Sequence, residues 1–137
     1  MRIVVDTNVL ASAVIFGGKP AELMHIVQMQ IISAVATEEI MVEYRETIDY
    51  LLKKYASRKV SRPIDPFLSV IEIIPARSHV NVCRDPDDDK FISCALDGQC
   101  YYIVSGDKDL LTLKEHQHVK IVTVSEFLEI LRNQRMS

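Results

Sequence analysis

Short apolar runs rich in β-branched residues alternate with helical patterns along this chain. The first run, Arg2–Val5, has no polar residue among its Ile and Val side chains, which is typical of a strand buried on both faces. Further strands are predicted over residues 31–36, 101–104 and 119–122. Strands that alternate with helices favour parallel pairing. The sequence therefore predicts an α/β fold whose parallel sheet is covered by helices on both faces.

Helix signals lie between these strands. Thr7 or Asn8 can cap a helix through residues 10–16, and Pro20 suits the first turn of a second helix that reaches about Gln28. A third, long helix is predicted after Thr37, with an apolar stripe at the 3.6-residue period. This stripe consists of Ile40, Tyr44, Ile48, Leu51, Leu52 and Tyr55.

The second half of the chain is less regular. The basic, proline-marked segment 57–66 predicts a break, whereas residues 67–74 fit either a helix or a strand. Residues 83–89 predict a loop before a helix over 90–96. Three more features complete the prediction: a short helix after the Asp107 loop, a polar loop around His116 and His118, and a terminal helix capped by Ser125.

Composition limits the class of protein. The chain has 137 residues, which suits a single domain spanning 1–137. Its longest apolar runs are too short to cross a bilayer, and Asp6 and Asn8 interrupt what would be the apolar core of a secretion signal. Three cysteines form neither a disulfide framework nor a metal knuckle, so free thiols are expected. A cytoplasmic protein with no membrane association is expected.

Charge is distributed unevenly although the net charge is only −3. Residues 44–62 carry six basic side chains against two acids, and residues 85–109 carry seven acids against two lysines. A basic stretch beside an acid cluster suits a metal-dependent enzyme that acts on a polyanion. A solvated helix face and an acidic loop explain the same runs without such a function. The basic residues are Arg45, Lys53, Lys54, Arg58, Lys59 and Arg62.

Several acids follow predicted strands directly. Asp6 follows the first strand and Asp107 the strand over 101–104, so both belong to the edge where parallel sheets bind ligands. The Asp85 to Asp89 cluster precedes a helix, and Glu43 lies on the flank of the long helix. Carboxylates converging from four elements would form a hard-oxygen site suited to Mg²⁺ or Mn²⁺. Each acid taken singly also fits a helix cap or a turn.

Four blocks of sequence resemble the PIN-domain nucleases. The blocks are residues 4–10, 37–44, 84–91 (followed by Ala95) and 103–111, read as VVDTNVL, TEEIMVEY, RDPDDDKF and IVSGDKDLL. Their order and spacing agree with a bacterial and archaeal subfamily, VapC-like, described as toxins of toxin–antitoxin pairs. The resemblance covers essentially the whole chain, and four blocks in order are far more specific than one.

The resemblance implies a three-layer α/β/α sandwich and a Mg²⁺- or Mn²⁺-dependent endoribonuclease. The family's catalytic and metal-binding acids correspond to Asp6, Glu43, Asp88 and Asp107, with Asp109 as a frequent fifth metal ligand. Asp88 is preferred to Asp89 because relatives place this acid seven residues before the helix alanine, but the extra carboxylate leaves the choice open. Supporting polar positions correspond to Thr7, Asn8 and Ser105.

The resemblance also implies partners: RNA as substrate, a homodimer, and a small cognate antitoxin. Basic residues of the 45–62 stretch would hold the RNA backbone outside the pocket. A rival enzyme is a haloacid-dehalogenase-like phosphatase, which needs a second Asp where this chain has Asn8. A non-enzymatic alternative is a catalytically silent PIN scaffold that binds RNA or protein.

Overall fold

The computed structural model describes residues 1–55 and 64–136 of the chain. Six strands are present in this part: β1 Arg2–Val5, β2 Ser33–Ala36, β3 Glu72–Ile73, β4 Tyr102–Val104, β5 Glu115–His116 and β6 Val119–Val122. Seven α-helices are present there too: α1 Thr7–Ile15, α2 Gly18–Gln28, α3 Glu38–Lys54, α4 Ile64–Ser69, α5 Asp89–Asp97, α6 Lys108–Leu113 and α7 Val124–Met136. Most of the predicted break over 57–66, with Arg58, Lys59 and Arg62, lies outside the described residues.

The six strands form one sheet in the order β3-β2-β1-β4-β6-β5. All neighbouring pairs are parallel except β5 and β6, which pair as an antiparallel hairpin with Glu115 opposite Lys120. The polar loop predicted around His116 is therefore wrong, because this residue belongs to an edge strand. The predicted α/β class and the three-layer arrangement, with helices on both sides of a mostly parallel sheet, are confirmed.

The core lies between the sheet and its helices. β1 is buried along Ile3, Val4 and Val5, as its uninterrupted apolar run predicted. α1 packs against α2 and α3, while α5 contacts β1, β2 and β4. The predicted stripe of α3 is confirmed at Tyr44 and Ile48, which are buried, and it becomes only partly buried towards the end of the helix.

Two local predictions need correction. The N-cap position of α1 is Asp6, whose side chain makes no capping hydrogen bond, and the predicted caps Thr7 and Asn8 both lie within the helix. α7 begins after Thr123 rather than at Ser125: the Thr123 hydroxyl accepts from the Glu126 N–H at 3.1 Å, and the Glu126 carboxylate accepts from the Thr123 N–H at 3.1 Å. This reciprocal pair is a capping box, which satisfies two backbone donors at once.

Two other predictions can be compared directly with the fold. The undecided segment 67–74 contains both elements, since α4 ends at Ser69 and β3 occupies Glu72–Ile73. Thr37 caps α3 as predicted, with its hydroxyl accepting from the Ile40 N–H. In the described ranges 1–55 and 64–136, no helix is both long and apolar enough to cross a membrane.

The strand order creates a switch point in the middle of the sheet. From β1 the chain moves outward to β2 and β3, and after α5 it returns to β4 on the other side of β1. Loops that leave β1 and β4 therefore diverge, and a crevice opens beyond their carboxyl ends. Asp6 and the Ser105–Asp107 turn lie at this crevice.

Candidate active site

Asp6 is held at the end of β1 by the neighbouring strand. Its backbone N–H donates to the Val104 carbonyl at 2.9 Å, and its carboxylate accepts from the buried Ser105 hydroxyl at 2.7 Å. Burial raises the pKa of Asp6 above its ordinary value, while the Ser105 hydroxyl and the Asn8 backbone N–H oppose that rise. Nearby Asp107 and Glu43 raise the pKa further. A buried carboxylate among other acids is unfavourable unless a cation or a proton compensates it.

Asp107 is fixed by the same serine. Its N–H donates to the Ser105 hydroxyl oxygen at 3.0 Å, and its carboxylate accepts from the Asp109 N–H at 3.0 Å, which caps α6. Ser105 thus orients two of the predicted acids from one position. The Asp109 carboxylate lies elsewhere, 3.9 Å from the Arg84 guanidinium, and does not line the pocket that the other acids share.

Asp88 and Asp89 have different environments although they are neighbours. The Asp89 carboxylate accepts from the backbone N–H groups of Val82 and Cys83, at 3.0 and 2.8 Å. Burial alone would raise the pKa of Asp89, but these hydrogen bonds outweigh it and hold the pKa below its ordinary value. Asp89 therefore ties down the preceding loop. Asp88 is equally buried but faces a different pocket.

One buried oxygen of the Asp88 carboxylate, Oδ2, accepts no hydrogen bond from the described residues. Burial first, and then the charge of Asp107, raise the pKa of Asp88 to about 7, with smaller contributions from the charges of Asp85 and Asp6 and from a side-chain hydrogen bond with Asp107. Orphaned buried carboxylate oxygens are rare in folded proteins and often mark functional positions.

Glu43 reaches the site from α3. Its carboxylate accepts from the buried Thr7 hydroxyl, and its Oε1 atom lies 2.6 Å from Nζ of Lys90. The adjacent Tyr44 hydroxyl donates to the Val5 carbonyl at 2.5 Å, which joins α3 to the end of β1. Burial would lower the pKa of Lys90, but Glu43 outweighs burial and raises it.

The four predicted catalytic acids are brought together in one pocket of about 240 Å³. The lining residues are Asp6, Thr7, Asn8, Glu43, Thr47, Asp87, Asp88, Lys90, Phe91 and Asp107. Sequence reasoning missed Lys90, although its place in the first turn of α5 beside the acid cluster was a usable signal. Ser105 lies just behind the pocket, where it contacts Asp6 and Asp107.

The pocket has the oxygen donors of a divalent-cation site, but these donors do not form a complete coordination shell. Within residues 1–55 and 64–136, no group of three or more His, Cys, Asp or Glu side chains stands in an arrangement that could hold a metal ion. The donors are carboxylate oxygens, which Mg²⁺ and Mn²⁺ prefer, and the free Asp88 oxygen is compatible with such a ligand. The carboxylate oxygens of the pocket are therefore of the type that binds a divalent cation.

Comparisons with known proteins identify the family of this chain. A family model described as PIN domain matches residues 2–109. An uncharacterized protein of Methanocaldococcus jannaschii, MJ1680, is 32% identical, and the match covers 94% of this chain and 90% of the relative. A chain in the crystal structure of VapBC2 from Rickettsia felis, bound to a DNA fragment from their promoter, has a similar fold with a TM-score of 0.59. That likeness covers 88% of this chain and 97% of the other at 12% identity. The protein belongs to the PIN domain family.

Proposed function

We propose that this chain is a Mg²⁺- or Mn²⁺-dependent endoribonuclease whose site consists of Asp6, Glu43, Asp88 and Asp107. The observation that carries the proposal is the buried Oδ2 atom of Asp88, which accepts no hydrogen bond from the described residues, in a pocket that Asp88 shares with four other acids. Mutual repulsion among these carboxylates is relieved by a bound cation. PIN domains are generally nucleases, which agrees with this chemistry.

Asp6, Asp88 and Asp107 would hold the cation, and Glu43 would assist them. When bound, the cation activates a water molecule for attack on the phosphodiester and offsets the charge that develops on the leaving oxygen. Ser105 links the Asp6 carboxylate to the backbone N–H of Asp107, while Thr7 and Lys90 hold Glu43. Because these supports are buried or partly buried, they restrict the movement of Asp6 and Glu43 before substrate arrives.

A toxin role in a type II toxin–antitoxin pair is part of this proposal. Support comes from the fold shared with a chain of the VapBC2 complex of Rickettsia felis. By this analogy the chain would act in the cytoplasm, as a homodimer, and would be neutralised by a small antitoxin protein. Asn8 occupies the position where a haloacid-dehalogenase-like phosphatase needs its second acid, so the phosphatase alternative has no support in the family or the residue.

The test compares two substrates under matched metal conditions. The purified protein is incubated with single-stranded RNA and, separately, with a phosphomonoester, each with Mn²⁺, with Mg²⁺ or with EDTA. We expect internal cleavage of the RNA with either metal, none with EDTA, and no release of phosphate from the phosphomonoester. RNA that stays intact under all conditions would instead favour the silent scaffold.

Matched variants separate the site from contaminating nuclease. Asp6→Asn should abolish cleavage, because Asp6 lies at the centre of the proposed ligand set. Asp49→Asn removes an exposed carboxylate from α3, the helix that carries Glu43, and should leave the rate unchanged. Equal activity of Asp6→Asn and the wild-type protein would refute the assignment.

A further inference from the structure

We propose that an RNA strand leaves the acid pocket through a second, adjoining groove that Lys19 and Lys108 flank. This inference rests on the proposed function, and it names the path that the phosphodiester backbone takes beyond the cleaved bond. We call this feature the lysine groove. It has a volume of about 840 Å³ and lies between the start of α2, the Ser105–Asp107 turn and the start of α7.

The lysine groove adjoins the acid pocket, since Asn8 and Asp107 line both. The acid pocket, at about 240 Å³, has room for little more than the reacting phosphate and its neighbours. The volume of the groove falls within the range of about 300–1,000 Å³ that is typical of ligand sites. Nucleotides flanking the reacting phosphate therefore fit the groove.

The groove is lined by side chains of the types that bind phosphate groups. Lys19 and Lys108 are both exposed at its rim, and the Lys19 ammonium donates to the Ser125 hydroxyl at 3.2 Å. Among the described residues that line it, Asp107 is the one acid, and Ser12 and Thr123 contribute further hydroxyl groups. Ammonium and hydroxyl groups are the usual contacts to phosphate oxygens, which position a strand without reading its sequence.

Gly106 supplies an independent observation. It is exposed in the groove, its φ lies outside the left-handed region, and a Cβ atom added there would meet nothing within 4 Å. Neither backbone conformation nor packing of the free protein therefore requires glycine at this position. Glycine also allows a ligand to approach the backbone closely. A strand lying over Gly106 accounts for its presence.

The basic 45–62 stretch gives an alternative path, and its basic residues Arg45, Lys53 and Lys54 lie among the described residues. Lys53 and Lys54 end α3, and the Lys54 ammonium lies over the ring of Tyr55 at 5.7 Å from its centroid. Neither lysine is among the described residues that line the acid pocket or the lysine groove. This pair therefore provides a matched control with the same change in charge.

The test measures binding apart from cleavage. A fluorescently labelled single-stranded oligoribonucleotide is titrated with wild-type protein in EDTA, which keeps the RNA intact, at several salt concentrations. We expect Lys19→Ala/Lys108→Ala to lower the log–log salt slope by about 1.4, or about 0.7 for each lost phosphate contact. At 0.1 M salt this corresponds to a loss of affinity on the order of 20-fold.

Control variants define the outcomes. Lys53→Ala/Lys54→Ala should keep the wild-type slope, and Lys19→Arg/Lys108→Arg should restore it. Gly106→Ala should weaken binding while its melting temperature stays equal or rises, since alanine restricts the unfolded chain more than glycine does. The proposal is overturned if wild-type protein does not bind the RNA, or if the Lys19/Lys108 double variant keeps the wild-type slope.

Failure of the groove and failure of the nuclease assignment give different results. If the protein cleaves RNA but the Lys19/Lys108 variant binds as wild type does, the groove is wrong and the activity stands. If binding depends on Lys19 and Lys108 but no metal supports cleavage, the activity is wrong and the groove stands as an RNA-binding surface.

Discussion

The Nζ atom of Lys90 lies 2.6 Å from the Oε1 atom of Glu43, inside the pocket that five acids line. The pair joins the first turn of α5 to α3, and the Lys90 side chain is only 16% exposed. A positive charge of the protein itself therefore already offsets part of the acid cluster. This arrangement has consequences for metal affinity.

Replacing Lys90 by Met should strengthen metal binding and weaken the metal-free fold. Loss of the ammonium removes a charge that repels a divalent cation, so Mn²⁺ should raise the melting temperature at lower concentrations than in the wild type. Without metal, Glu43 loses its charged partner, at a cost of about 1–2 kcal/mol. Thermal unfolding across a Mn²⁺ titration measures both effects. Lys120→Met, an exposed change on β6, is the control, and weaker Mn²⁺ stabilisation in Lys90→Met would contradict the account.

Asp88→Asn should stabilise the metal-free protein in a pH-dependent way. The pKa of Asp88 rises from 3.8 to about 7 on folding, so the unfolded chain loses this proton first as pH rises. The wild type therefore loses stability between about pH 4 and 7, whereas the Asn variant is spared this loss. Urea unfolding in EDTA at pH 5 and pH 8 should show a variant advantage that grows to about 1–3 kcal/mol. If the variant is more stable than the wild type by the same amount at both pH values, the charge of Asp88 does not destabilise the fold.

Asp89→Asn should destabilise the protein, whereas Asp88→Asn should stabilise it. The pKa of Asp89 is held below its ordinary value in the folded protein. Its ionised form therefore stabilises the fold at pH values above the ordinary pKa, and this stabilisation is lost as pH falls through the lowered pKa. Near pH 7 the variant weakens two charge-assisted hydrogen bonds to the loop at Val82 and Cys83. We expect a loss of about 1–2 kcal/mol in urea unfolding. A variant as stable as the wild type at pH 7 would contradict this structural role.

Tyr44→Phe should test how far RNA cleavage depends on the position of Glu43. The Tyr44 hydroxyl is fully buried and bonded to the Val5 carbonyl, one residue before Asp6, so its loss should cost about 1–2 kcal/mol of stability. Glu43 would then be held less firmly relative to Asp6. We expect an RNA-cleavage rate between those of the wild type and Glu43→Gln. Tyr50→Phe, an exposed change on the same helix, should alter neither quantity.

Much of the fold and the approximate place of the site could be predicted from sequence. The buried β1 run and the acid that follows it obey simple rules of burial and strand ends, so the position of Asp6 needed no tertiary information. The antiparallel strand at Glu115–His116 escaped prediction because it has two polar residues. Its hairpin turn uses Gln117 with φ of 55°, where glycine or asparagine would have been the recognisable signal.

Side-chain direction was harder to predict than position. Asp88 and Asp89 are adjacent, and only the loop at 82–83 decides that Asp89 faces away from the acids. Asp109 follows Asp107 by two residues, yet α6 begins between them and places its carboxylate near Arg84. The Lys90–Glu43 pair depends on how α5 packs near α3. Such contacts link distant segments, so the position of a residue in the sequence does not reveal its partner.

The most direct test of the central claim compares Asp88→Asn with Asp89→Asn in one assay. Both variants change one carboxylate to an amide at neighbouring positions, so charge, size and region are matched. Cleavage of single-stranded RNA is measured with Mn²⁺ at a temperature where both variants are folded. The account predicts that Asp88→Asn abolishes cleavage and that Asp89→Asn retains most of the wild-type rate. Wild-type cleavage by Asp88→Asn, or a loss confined to Asp89→Asn, would contradict it.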